Sequence, residues 1–269
     1  MNLVNLLVDS AKRWYKSDMK SYAAAFSYYA PLAIVPILLF SISLVGIIYG
    51  ENVTRQILTD WAGVLSQDIV DLIKSALSNL RQETESFAWP IVGIIFFLSI
   101  SILALNVLAN GFHRLWQNQS LGFRNWLKKS QRSFLFILIF QLYLIIVIGF
   151  ELFLISNDLR SYHIIPTVFL FISTSAFFVI LFKFLADNAP SWKGCLVGAV
   201  ISSTLFIITK STIGVYVASV SGLNVYGAAG LILVLLLWVY ILASLIYYGA
   251  AIAYEYDKYD RIQSIKHQN

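Results

Sequence analysis

The chain has 269 residues, of which 59% are hydrophobic and only 12% charged, and it carries a formal net charge of +5. Soluble domains run nearer half apolar and a quarter charged, so this composition, with a mean hydropathy of +0.75, excludes an ordinary globular domain and implies an all-α integral membrane protein. The lone cysteine, Cys195, excludes an intramolecular disulfide and a cysteine-cluster metal site.

In chain order, residues 1–22 carry Leu3, Leu6, Leu7 and Trp14 among charges, the pattern of an amphipathic helix lying on the inner membrane surface. The first apolar run behind them is too long for the core of a cleavable signal peptide. A transmembrane domain over 23–257 follows. Its six apolar runs, at about 23–49, 90–112, 134–156, 164–186, 194–219 and 230–253, are each long enough to span as helices, which take ~20 residues. They are unbroken rather than alternating, which excludes barrel strands. Pro90, Pro166 and Pro190 stand at or outside span ends, whereas Pro31 and Pro36 lie inside the first span and are expected to kink it. Between the first two spans, residues 51–88 place Ile57, Trp61, Val64, Leu65, Leu72 and Ile73 at largely helical spacing, with an acidic polar face. One or two amphipathic helices are expected there. The segment 258–269 reads as a loose polar cytoplasmic tail.

Basic residues set the orientation. With the N-terminus inside, fourteen of the nineteen lysines and arginines fall on inner segments and four on outer ones, so both termini are expected in the cytoplasm. The expected location is a bacterial cytoplasmic (inner) membrane, crossed many times.

The nineteenth cation is Lys210, within the fifth span. A lysine in mid-membrane costs at least ~3 kcal/mol unless it snorkels or finds polar company. Glu151, in the third span, lies at a compatible depth and is expected to face the same interior space. Ser203 shares the helix face of Lys210, being seven residues away. Asn106 and Asn110, at i and i+4 in the second span, suit either interhelical hydrogen bonds or a solute contact. Gly194, Gly198, Gly227, Gly230 and Gly249 suit close helix packing, with homo-oligomerisation through such faces as the sharper reading. The basic loop from His113 to Arg132 interleaves aromatics, but a charge-rich inner loop with interfacial tryptophans accounts for it without nucleic acid. No spacing of metal ligands, P-loop or nucleophile elbow is present, so no cofactor, metal or catalytic residue is expected.

The stretches from Ser21 to Phe40 and from Val225 to Tyr256 together resemble the YihY/BrkB family of bacterial inner-membrane proteins, the UPF0761 type once labelled ribonuclease BN. The matching residues are Ala23, Ala24, Ala25, Tyr28, Tyr29 and Pro36; Asn110 and Trp116; Pro190, Gly198, Ala199, Lys210 and Tyr216; and Tyr226, Gly227 and Ala228. The family often has Gly-Ala-Glu late in its last span. Here Gly249 and Ala250 are followed by Ala251, and the next acid is Glu255, one turn later. The resemblance implies six helices with both termini inside and no established chemistry. The ribonuclease label fits poorly, since no cluster of activating groups stands on the inner side. The expected function is a transporter or permease with a polar cavity lined by Lys210, Glu151, Asn106, Asn110, Ser203 and Tyr216, taking an unknown small solute, anionic or a lipid headgroup. The alternative is a non-catalytic envelope or lipid-homeostasis factor whose partners are membrane lipids. A membrane-embedded polar cavity open to one side would favour the first; a solid bundle with an apolar groove open to lipid would favour the second.

Overall fold

The computed structural model describes residues 3–33, 88–117, 122–156, 164–185, 187–219 and 223–268. Among them there are seven helices and no strand. These are α1 (Leu3–Lys16), α2 (residues 19–33), α3 (Ala88–Leu115), α4 (Gly122–Ser156), α5 (Ile164–Phe184), α6 (Trp192–Ser219) and α7 (Leu223–Gln268). Five of them, α3 to α7, are long and apolar enough to cross a membrane. Most of the expected first span, and the whole amphipathic segment 51–87, lie outside the described residues, as does Pro36. Pro31 sits within α2.

Three boundaries differ from expectation. The N-terminal segment is not one helix over 1–22. It breaks at Ser17–Asp18, where the Asp18 amide donates to the Tyr15 carbonyl (3.1 Å) and Asp18 takes a left-handed backbone (φ 58°). Gln117 after α3 and Asn188 after α5 take the same conformation. A left-handed residue is a common helix stop, usually supplied by glycine, and its occupation by Asp, Gln and Asn hides these stops from a reading based on glycine. The basic stretch before the third span is largely helical, because α4 begins at Gly122. The C-terminal segment is not loose: α7 continues as helix to Gln268. Pairs at i, i+3 and i, i+4 support it, Glu255 with Lys258 (3.3 Å) and Asp257 with Arg261 (2.9 Å), the acid-before-base order that suits a helix.

Contacts order the helices. The end of α3, the start of α4, the end of α5, the start of α6 and the C-terminal part of α7 meet at one end of the bundle, and α1 docks there. Successive spans therefore alternate in direction. A buried hydrophobic cluster lies at that end, where Phe112 stacks on Trp116 (5.1 Å) and meets Tyr247 (5.7 Å) and Phe182 (5.8 Å) edge-on. Aromatic edges carry partial positive charge and faces negative, so these edge contacts attract beyond mere burial. The Trp116 Nε1–H donates to the Ala250 carbonyl (3.1 Å), and the Tyr247 hydroxyl donates to Val107 O (3.3 Å). The edge of the Tyr247 ring fills the space a side chain on Gly111 would take, its Cζ 2.6 Å and hydroxyl oxygen 2.7 Å from where a Cβ would stand, so a larger residue there must displace the buried ring.

The tightest pair is α6 with α7. Gly194 faces Ala253, Gly198 faces Gly249, and Ser202 faces Leu245, whose carbonyl accepts from the Ser202 hydroxyl (3.4 Å). Each step is four residues on both helices, in opposite directions, so one small-residue stripe runs antiparallel along another. Gly230, near the start of α7, is buried, and Gly227 stands a turn before it. The Ser191 hydroxyl caps α6 by accepting from the Gly194 amide (3.2 Å), while Asp257 of α7 accepts from the Ser191 amide (3.3 Å).

Candidate functional site

Between α2, α3, α4, α5, α6 and α7 lies a cavity of about 400 Å³. Its walls are Phe26, Ala30 and Ala33; Ala104, Leu105 and Leu108; Phe136, Ile137 and Phe140; Phe177 and Phe178; Phe206; and Trp238, Val239 and Leu242, among others. Small residues on α2 and α3 leave the room, and large rings on α4, α5 and α6 shape it. The polar groups in the lining are Ser101, Tyr143 and Thr174. The last two hydroxyls lie 3.4 Å apart, a long contact in which either can donate to the other. Among the described residues no charged side chain is in the lining. A cavity of this size falls within the range of small-ligand sites, roughly 300–1,000 Å³.

Of the residues expected to line a polar cavity, the four whose side chains are described, Asn106, Asn110, Ser203 and Lys210, are not among those that line this one. Asn106 is half-buried and accepts from the Ser133 hydroxyl of α4 (3.1 Å), which ties α3 to α4. Asn110 is exposed. Ser203 is fully buried, with a hydroxyl that finds no partner among the described residues. Lys210 is exposed, with no acid paired to it among the described residues. The helix face it shares with Ser203 is covered at Ser203 and open at Lys210. The side chains of Glu151 and Tyr216 lie outside the described residues, and with them the expected pairing of Glu151 and Lys210.

Lys210 nonetheless has a defined relation to the cavity. Phe206 lines it, and Lys210 follows four residues later on nearly the same face, ~6 Å further along α6. α6 itself runs on to Ser219, so Lys210 stands 18 residues, ~27 Å, beyond Trp192 and nine residues, ~14 Å, short of the helix end. Trp192 and Lys193 open the helix, as residues anchored at a membrane interface do.

The second polar centre is at the docked end, and apart from the displaced acid it was not legible in the residue pattern. Glu255 is 4% exposed. Its carboxylate pairs with the Arg13 guanidinium of α1 and with Lys258. Arg13 also donates to the Leu115 carbonyl at the end of α3 (3.0 Å) and stacks over the Tyr254 ring, 4.0 Å from its centroid. One guanidinium thus joins α1, α3 and α7. On the same surface the Tyr259 hydroxyl donates to Asp9, which holds that carboxyl below its ordinary value. The Tyr248 hydroxyl donates to Leu7 O (3.1 Å). Arg132 of α4 pairs with Asp187 beyond α5.

A helical bundle in which five of the described helices are long and apolar enough to cross a membrane points to a polytopic α-helical membrane protein. The chain belongs to the BrkB family: the model described as "Virulence factor BrkB" matches residues 10–269. Among relatives, a UPF0761 membrane protein of Pseudomonas aeruginosa (strain LESB58) is 24% identical over 262 residues, covering 90% of this chain and 60% of its own length. A UPF0761 membrane protein of Haemophilus influenzae (strain 86-028NP) is 21% identical, covering 92% of this chain and 93% of its own. One from Acinetobacter baylyi is 20% identical, covering 94% and 62%. This chain therefore spans about 60% of the length of the Pseudomonas relative. No solved structure matches.

Proposed function

We propose that this protein is a non-catalytic carrier or organiser of an anionic amphiphile in the bacterial cytoplasmic membrane. The apolar tail occupies the cavity and the anionic headgroup sits at Lys210. The observation that carries this reading is the lining: among the described residues it is mostly aromatic and aliphatic and carries no charged side chain, with the exposed Lys210 one helical turn beyond Phe206. Such walls stabilise a hydrocarbon chain by dispersion and close packing, whereas a polar solute would lose its hydration there without replacement. Lys210, an exposed cation within an otherwise apolar helix, attracts a phosphate or carboxylate where water is scarce. The excess of lysine and arginine at the end that carries α1 supports a cytoplasmic position for that end.

The test is native mass spectrometry of protein extracted with its lipids, comparing wild type, Ala104→Phe and Lys210→Met. The phenyl group should fill the cavity and abolish retention of a bound lipid while the protein stays folded. Lys210→Met should keep a lipid but lose the preference for anionic ones. Wild type that retains no lipid, or Ala104→Phe with undiminished retention, sinks the reading. Movement of a fluorescent anionic lipid between leaflets of proteoliposomes then separates a transporter from a static organiser. Transport of an amphiphile is the version of the permease reading that this lining supports.

A further inference from the structure

We infer that α1 is a three-sided helix whose free apolar edge is set into the lipid interface, with an adjoining basic edge that recruits anionic headgroups. At 100° per residue its side chains fall into three sectors. One sector is docked on the protein: Leu6 and Ser10 are fully buried, and Arg13 reaches Glu255. The second, about 60° wide, holds Val4, Val8, Ala11 and Tyr15, all exposed. The third holds Asn5, Lys12 and Lys16, also exposed. Lys20 adds to the basic side, its ammonium 5.4 Å from the centre of the Tyr15 ring.

The docking fixes the attitude of this helix. Leu7 is tied to Tyr248 and Asp9 to Tyr259. The two partners stand eleven residues apart on α7, ~16 Å along its axis, while their mates on α1 are only ~3 Å apart. α1 therefore runs across α7 rather than along it. Its crossing level is that of Ala253, which faces Gly194 beside the interfacial Trp192 and Lys193. A helix crossing a membrane-spanning helix at that level lies near the plane of the interface. The apolar sector then meets acyl chains and the basic sector meets headgroups. The one acid on α1, Asp9, is already engaged by Tyr259 and Lys12, so the free edge presents only positive charge. A basic edge of this kind selects anionic lipid.

The experiment places nitroxide labels singly at Val4→Cys, Val8→Cys, Lys12→Cys and Lys16→Cys. The full chain sits in phosphatidylcholine bilayers containing phosphatidylglycerol, and its own buried cysteine serves as the unlabelled background. Labels at 4 and 8 should collide preferentially with oxygen, and labels at 12 and 16 with a water-soluble nickel chelate. Joint replacement of Lys12, Lys16 and Lys20 by Gln should lower phosphatidylglycerol retention by roughly fivefold per lysine. Labels at 4 and 8 as open to nickel as those at 12 and 16 would place the edge in water and overturn the inference. Labels shielded from both reagents would show protein on that edge, a second copy included, and overturn it too. Unchanged phosphatidylglycerol retention in the glutamine variant would remove the headgroup role. Because Ala104 and Lys210 are untouched, each of these failures is distinct from failure of the cavity reading.

Discussion

Replacement of Gly198 by alanine should destabilise the bundle, although alanine is the better helix former. A methyl built on Gly198 falls within the contact distance of the Gly249 carbonyl oxygen and lies 3.1 Å from the Ala253 Cβ and 3.2 Å from its amide nitrogen. One turn earlier, a methyl on Gly194 would lie 2.6 Å from the Ala253 carbonyl oxygen, about 0.8 Å short of the 3.4 Å at which ordinary contact begins. The obstructing atoms are largely backbone, so no rotamer change relieves them and the two helices must separate. Overpacking of this kind costs about 1–3 kcal/mol. The gain from alanine over glycine inside a helix is only about 0.5–1 kcal/mol. A net loss of about 1–2 kcal/mol is expected for Gly198→Ala, with Gly194→Ala similar or smaller. Gly149 on α4 is the internal control, because a methyl there meets nothing within 4 Å; Gly149→Ala should be neutral or stabilising. Thermal unfolding in detergent, followed by size-exclusion recovery of the folded peak, reads the difference as a lower midpoint for Gly198→Ala and an unchanged or higher one for Gly149→Ala. If Gly198→Ala proves as stable as Gly149→Ala, the packing argued for α6 and α7 is wrong.

Glu255→Ala leaves the largely buried Arg13 without its counter-charge and should cost about 3–5 kcal/mol, with much of that recovered by adding Arg13→Met; unfolding midpoints of the two singles and the double give the coupling. Trp116→Phe removes the donor to the Ala250 carbonyl while keeping the ring stacked on Phe112, and should lower stability by about 1 kcal/mol in the same assay. The Asp9 carboxyl is held below 3.8 chiefly by the Tyr259 hydroxyl, with desolvation opposing and Lys12 assisting. Its folded value being the lower one, its contribution is complete above the ordinary carboxylate range and fades as the pH falls through the depressed value. A fluorophore on α1 should therefore report no Asp9-linked change between pH 7 and 5, and Asp9→Asn should abolish any change seen below pH 4.

Composition and run length were enough to read the membrane class and the spans over α3 to α7, because twenty apolar residues have few alternatives in water or lipid. Charge asymmetry and small-residue spacing were also legible: Gly194, Gly198 and Gly249 announce close approach whatever their partner. The cavity was not legible. Ala30, Ala33 and Ala104 look like any other small residues in a span, and only the assembled bundle turns them toward one void. Lys210 drew attention because a charge in an apolar run is costly, yet the cost depends on which side of the helix faces protein, and periodicity alone did not decide that. The Arg13–Glu255 pair joins residues 242 apart. Each side chain alone reads as a surface charge, and only the crossing of α1 over α7 buries them together.

The unbroken run of α7 from Leu223 to Gln268 spans ~69 Å, more than twice the ~30 Å of a bilayer's apolar slab. A rod of that length cannot be contained by the membrane. One piece of backbone both walls the cavity at Trp238 and reaches beyond the interface at Arg261, with no joint between them to absorb movement. A tilt of that rod beside Trp238 would carry Arg261 with it, the displacement growing with distance along the helix.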